Sequence, residues 1–242
     1  VFLNSDRFNG KDFLPLTAAV KKNGTRIFAQ LTHRGFQGSG ALTRHTLWGP
    51  SAAADIVFGE TAKAMEPEDI AEITDAFAGA AERAREGGFD GIEIDMGPES
   101  LLRQFLSPIS NHREDEFGGI LENRMRLAVM VIEAVRKAVG DDFTVGVCLC
   151  AEERFWGGIS MDESREVSRR LEEKGNIDFF HVTLGTYYNL HLQQASMHTP
   201  SGFTLEATGR IRQGVDLPVF AANQIDFPFM AEEAPVSYTH LT

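Results

Sequence analysis

Five short apolar runs, spaced along the chain and separated by stretches of a different period, constrain this sequence more than any other feature. TRIFAQL (25–31), GFDGIEID (88–95), FTVGVCLC (143–150), IDFFHVTL (177–184) and LPVFAA (217–222) are rich in β-branched and aromatic residues and read as buried strands. Between them the apolar spacing changes to that of a helix. Over 67–86, Ile70, Ile73, Phe77, Ala80, Ala81 and Ala84 form one stripe, opened by Pro67 and closed by Gly87 and Gly88. Over 123–139 the stripe is Leu127, Met130, Val131, Ala134, Val135 and Ala138, ending at Gly140. A third helix is expected near 162–174, where Ser160 and Glu163 have capping-box spacing and Gly175 supplies the stop.

Strands alternating with amphipathic helices pair in parallel through right-handed crossovers, so the fold class is α/β. A doubly wound sheet and a (β/α)8 barrel both satisfy that pattern. The turn after the first run, THRGFQGSGALT (32–43), has its glycines in the wrong order for a dinucleotide fingerprint and leads into no helix at once. There is no internal repeat, low-complexity tract or linker, so residues 1–234 are read as one domain. The last stretch, APVSYTHLT (234–242), abandons the preceding helical pattern, and residues 235–242 are expected to be a non-native tail.

Composition narrows the function. The formal net charge is −12 with no local Lys/Arg cluster, which opposes nucleic acid and anionic lipid. No apolar run approaches the roughly 18 residues of a spanning helix, so the expectation is a cytoplasmic protein acting on a small molecule. The two cysteines, Cys148 and Cys150, lie two apart on one strand, cannot easily bridge each other and are too few for a structural zinc or an iron–sulfur cluster. With no His-rich ligand set, no metal site is expected.

In a barrel, working residues stand at the C-terminal ends of strands and on the loops that follow. This selects Gln30 and His33; Glu93, Asp95 and the long loop up to Gly119; Cys148, Cys150, Glu152 and Glu153; His181, Thr183, Tyr187 and Tyr188; and Asn223 and Gln224. The loop, within GIEIDMGPESLLRQFLSPISNHREDEFGG (91–119), spends over twenty residues on Gly- and Pro-punctuated chain, a length that usually carries function. His181 lies inside its strand and reads as a packed core histidine.

Four stretches in order, FAQLTHRG (28–35), FAGAAERAREGGFDGIEI (77–94), LLRQFLSPISNHREDEFGGILENRMRL (101–127) and VFAANQI (219–225), resemble the old yellow enzyme family of flavin oxidoreductases. The likeness is strongest to the branch holding 2,4-dienoyl-CoA reductase, trimethylamine dehydrogenase and N-demethylases. The resemblance implies a (β/α)8 barrel with FMN at its mouth and NAD(P)H as a reductant. By the same count, TRIFAQL is the third strand and LPVFAA the seventh, so strands 3–7 are present and the barrel is incomplete, a fragment of a parent that could assemble as a homo-oligomer.

Carried over residue by residue, Gln30 matches the glutamine on the flavin's pyrimidine edge, where a carboxamide both donates and accepts. Ala222, Asn223 and Gln224 fall on the flavin's phosphate side, and His33 and Tyr188 on the substrate side. In the loop, Arg113 with Asp115 is expected to clamp the chain rather than touch substrate. Departures are equally specific. Asp95, Pro98 and Ser100 stand where the family usually has two side-chain donors and a Tyr. Cys148 stands for an Arg near the flavin's N1–C2 edge, and Gln224 for an Arg near the phosphate. Arg34, Arg103 and Arg154 are the nearby cations that could stand in. Without the donor pair an enone loses its grip, whereas Asp95 with Tyr187 suits a cationic amine, so the expected reaction is N-methyl amine demethylation or dehydrogenation. The alternatives are an enoyl or enone reductase, a barrel relative that has lost flavin, and an aldolase-type barrel using Asp95 or Glu93 with a metal.

Overall fold

A computed structural model describes residues 9–56 and 59–237 of the 242. All five expected runs form strands: β1 (Phe28–Leu31), β4 (Gly91–Met96), β5 (Thr144–Cys150), β6 (Phe179–Thr183) and β7 (Val219–Ala221). A separate parallel ladder of two residues per strand joins β2 (Trp48–Gly49) to β3 (Lys63–Ala64). The five strands are parallel and cross the sheet in sequence order, β1-β4-β5-β6-β7. A doubly wound sheet reverses its order at a switch point, whereas a barrel does not. The sheet is thus an arc of a (β/α)8 barrel, and β1 and β7 have no further strand partner among the described residues.

The pleat sorts the strands into two faces. Ala29 and Leu31, Ile92, Ile94 and Met96, Val145, Val147 and Leu149, and Phe180 and Val182 point to the helices and make one core. The other face carries Phe28 and Gln30, Glu93 and Asp95, Cys148 and Cys150, and His181 and Thr183. At the N-terminal end of this inner face the Phe179 ring lies edge-on between Phe28 and Phe220, with centroids 5.7 and 5.2 Å away. Gly146 makes room for it, since a Cβ there would come within 2.0 Å of the Phe179 ring, and Gly91 does the same for Phe28 at 2.4 Å. The polar residues all lie above this aromatic floor, toward the C-terminal strand ends.

Helix Pro67–Glu86 buries the six residues of its expected stripe. Helix Leu121–Val139 is rotated from expectation: Met125, Ala128, Ile132 and Val139 are buried with Leu127, Val131 and Val135, while Met130, Ala134 and Ala138 are only half-buried. The cause is a second partner, since this helix packs against helix Pro67–Glu86 while its buried residues also join the core on the sheet. Helix Met161–Glu173 starts at the Ser160 box, where Glu163 N donates to Ser160 Oγ at 3.3 Å and Ser160 N to Glu163 Oε2 at 3.2 Å. Helix Pro228–Ser237 continues three residues into the stretch expected to be a tail, and residues 238–242 lie outside the described residues. Among the described residues no helix is long and apolar enough to cross a membrane.

The long loop after β4 is not all loop. Leu101–Leu106 forms a helix whose six residues are all buried, with Ser100 Oγ accepting from Arg103 N at 3.1 Å as its cap. Beyond it, Asn111 Nδ2 donates to the carbonyls of Phe105 and Phe117 at 2.6 and 2.7 Å. Arg113 clamps the chain as expected, through Asp115 and through the carbonyls of Pro50 (2.9 Å) and Met65 (2.7 Å).

Candidate active site

Strand register brings the chemistry together. Gln30 is paired with Glu93, Asp95 with Cys148, and Cys148 with His181, so residues from β1, β4, β5 and β6 converge on the inner face. A cleft opens above them, lined by Gln30, Thr32, Arg34, Asp95, Pro98, Glu99, Cys148, His181, Thr183, Leu184, Gln193 and Asn223. Of the residues singled out in the sequence, Gln30, Arg34, Asp95, Pro98, Cys148, His181, Thr183 and Asn223 meet here.

The others do not line it. His33 accepts a hydrogen bond from Gly35 N on Nδ1 at 3.1 Å, with its ring beside Trp48. Burial pushes its pKa down to about 4. Tyr187 is buried within the turn Tyr187–Asn189, and Tyr188 stacks on Phe155 at 5.2 Å. The turn is capped by Thr186 Oγ1, which accepts from Tyr188 N at 3.0 Å. Ala222 contributes a carbonyl to Thr204 Oγ1, and Gln224 Nε2 donates to Ser196 O at 2.7 Å.

Two hydrogen-bonded sets form the floor. In one, Asp95 accepts from Thr32 Oγ1 and from Gly97 N, both at 2.7 Å. Burial raises the Asp95 pKa and the nearby Glu93 charge adds to this, while those two hydrogen bonds and His181 hold it down. In the other, Gln30 Nε2 donates to Glu93 Oε1 at 2.7 Å, and Glu93 Oε2 lies 3.0 Å from His181 Nδ1. His181 is therefore a cleft residue and not the packed core histidine its strand position suggests; its side chain keeps 25 % of its exposure. Cys148 sits between the sets with Thr183 Oγ1 3.9 Å from its sulfur. Desolvation first, then the charges of Asp95 and Glu93, drive its thiol pKa well up, so it is a neutral group. Cys150 is buried too, its thiol donating to Gly185 O at 3.1 Å, and both cysteines are free.

At the rim, Glu99 binds Arg34 and accepts from Gln193 Nε2, which leaves the buried Gln193 Oε1 without a partner. Of the three nearby arginines, Arg34 alone lines the cleft. Arg103 is buried against Glu153 at 2.5 Å and Arg154 pairs with Glu152 at 3.3 Å. Glu99, Gln193 and the Glu93–His181 pair carry no motif; only strand-end position pointed to Glu93 and His181, and nothing in the sequence pointed to Gln193.

The sequence matches the NADH:flavin oxidoreductase / NADH oxidase family over residues 6–238. The chain belongs to this family. It is 37% identical over 225 residues to N,N-dimethylglycine/sarcosine dehydrogenase of Chromohalobacter salexigens, covering 90% of this chain and 32% of that protein. It is also 37% identical over 212 residues to the multifunctional alkene reductase/demethylase OYE of Caballeronia cordobensis, covering 85% and 31%. Histamine dehydrogenase from Rhizobium sp. 4-9 superposes with a TM-score of 0.84 at 27% identity, over 96% of this chain and 34% of that one. The chain thus spans about a third of the length of these relatives.

The family's cofactor is FMN, with NAD(P)H as reductant. The residues present fit the polar edge of a flavin ring: the carboxamides of Gln30 and Asn223 both face the cleft and offer donors and acceptors together. The fit is weaker elsewhere, because the floor offers the neutral Cys148 and two carboxylates where a cation would best balance a reduced ring, and Gln224 is tied to Ser196 O.

Proposed function

We propose that this chain is the core of an FMN-dependent oxidoreductase acting on N-methylated amines, by demethylation or dehydrogenation. The carrying observation is at the floor of the cleft: the carboxylate of Asp95 lines it beside Pro98, which offers no side-chain donor. A carboxylate there suits a substrate that brings an N–H donor and positive charge, whereas an enone oxygen finds no donor at the Asp95 and Pro98 positions. The names of the dimethylglycine dehydrogenase and the demethylase relatives support the same class.

Two-electron acceptor chemistry is what FMN supplies when bound. Gln30 and Asn223 orient its polar edge. Asp95 holds the ammonium end of the substrate and takes its N–H proton, releasing the lone pair that forms the C=N bond as hydride leaves the neighbouring carbon. Partial burial, which raises the Asp95 pKa, favours this proton uptake. The Gln30–Glu93–His181 set fixes the floor beneath. N-methylated amines added to the oxidised full-length parent and enoyl thioesters added to the reduced one, with flavin reduction and reoxidation respectively followed by absorbance, test the reading. Turnover of amines is expected; turnover of enones alone would sink it.

Cys148 and the tied Gln224 support a second reading, a barrel relative that no longer holds flavin. Cys148→Arg combined with Gln224→Arg separates the two: a gain in FMN affinity shows a site weakened at those two positions, and no gain places the defect elsewhere.

A further inference from the structure

The floor also holds three side chains whose donor atoms converge on one point. Glu93, Cys148 and His181, from three adjacent strands, bring a carboxylate oxygen, a thiol and an imidazole nitrogen within 4.8 Å of one another. From this juxtaposition we propose that Glu93, Cys148 and His181 form a binding site for a zinc ion, with a fourth position open to the cleft. This does not depend on flavin binding or on the amine reading.

The chemistry of the donors comes first. One sulfur, one nitrogen and one oxygen are the ligand types Zn²⁺ takes, and three protein ligands with a fourth open position is the arrangement of reactive zinc sites rather than structural ones. Tetrahedral bonding at about 2.0–2.3 Å requires donor–donor separations of roughly 3.3–3.8 Å. Glu93 Oε2 and His181 Nδ1 are already 3.0 Å apart, and Cys148 and His181 are direct register partners, so side-chain rotation alone brings the sulfur in. In the free protein His181 Nδ1 and Glu93 Oε2 share a hydrogen bond; with the metal held between them the neutral imidazole keeps its one proton on Nε2.

The surroundings are those of a held site. Gln30 Nε2 donates to the other carboxylate oxygen, Glu93 Oε1, at 2.7 Å, fixing which oxygen faces His181. Asp95, one pleat above, is not among the groups whose donor atoms converge, and its charge lies beside the Cys148 thiol. Access exists, since Cys148 and His181 both line the open cleft. Cys150, two residues on, is fully buried with its thiol on Gly185 O, which makes it an internal control. Binding releases the Cys148 proton to solvent, so a site of charge −1, from Glu93, becomes neutral: +2 from the metal, −1 from Glu93 and −1 from the thiolate. That one-unit gain falls where the family resemblance places an arginine and this chain has Cys148.

Titrating the apo chain with Co²⁺ as a zinc analogue tests this directly, because thiolate ligation gives a near-ultraviolet charge-transfer band and tetrahedral geometry gives intense visible bands. The expected result is one Co²⁺ per chain with both features, displaced by Zn²⁺. The charge-transfer band is lost in Cys148→Ser and kept in Cys150→Ser. His181→Ala and Glu93→Gln are expected to weaken binding more than about tenfold, and Gln30→Ala by about 10–100-fold through the oriented carboxylate. Circular dichroism of each variant separates loss of ligand from loss of fold. A wild-type chain with native circular dichroism that shows no thiolate band, or a band that survives Cys148→Ser and vanishes in Cys150→Ser, would overturn the site.

Discussion

Protonating His33 removes an acceptor that the fold uses. Its Nδ1 receives Gly35 N, at a glycine held at φ 57° where the chain turns beneath Gln104. Because burial lowers the His33 pKa from 6.5 to about 4, the neutral form contributes fully above pH 6.5, and that contribution is lost as pH falls from 6.5 towards 4. The loss reaches roughly 3 kcal/mol at most. Asp95 has the opposite sign: its raised pKa means that the ionised form weighs against the fold, so its contribution falls as pH rises from 3.8 through the raised value. Urea denaturation from pH 7 to 4 is therefore expected to show falling stability in the wild type and a flatter profile in His33→Gln; an equally steep profile in the variant would assign the slope to another group. Asp95→Asn, which keeps the shape and removes the charge, is expected to raise the KM for N-methylated amines by tenfold or more in the full-length parent while stability at pH 7 is unchanged or higher.

At the level of elements, the loops after β4 and β5 are locked by a buried ion pair. Arg103, from helix Leu101–Leu106, donates to Glu153 Oε1 at 2.5 Å, with side-chain exposures of 1% and 0%. Ser107 Oγ and Ile159 N satisfy the other Glu153 oxygen at 2.6 and 2.8 Å, and Arg103 Nη2 reaches Gln37 Oε1 at 3.3 Å. Removing one partner strands the other charge without water, so Glu153→Ala is expected to cost about 3–5 kcal/mol in urea denaturation, whereas Arg103→Met with Glu153→Leu recovers most of it. A cost under about 1 kcal/mol for Glu153→Ala would show that water reaches Arg103. None of this clamp was legible in the sequence: Arg103 and Glu153 are fifty residues apart with no shared pattern. The helix carrying Arg103 was hidden for a different reason. LLRQFL is buried on all sides, so it shows no polar stripe, and Ser100, which caps it, stood out in the sequence only as a departure from the family pattern. The five strands were legible because their runs are continuous and bounded, and the Arg113 clamp because its partner lies two residues away. Side chains placed by strand register, such as Glu93 beside His181, become visible only when the pairing is known.

The whole molecule has a surface that a closed barrel would not have. Phe28 is 41% and Phe220 55% exposed on the inner face, at either edge of the sheet and on either side of the buried Phe179. The outer edges of β1 and β7 add backbone groups with no strand partner among the described residues. Apolar rings beside open strand edges are what sheets pair through when they aggregate, and closure into a barrel is what removes such edges. The 242-residue chain expressed alone is therefore expected to self-associate, seen as concentration-dependent light scattering, and to bind FMN weakly, since the described cleft supplies the ring's polar edge but lacks an unpaired cation for the phosphate. Phe28→Ser with Phe220→Ser should lower the scattering without changing the far-ultraviolet circular dichroism, because both rings are largely exposed while Phe179, seated over Gly146, stays buried between the strands. Purification of the unmodified chain as a yellow, monodisperse protein with one FMN per chain would refute both expectations, and would mean that the aromatic floor is covered by an arrangement other than the open arc.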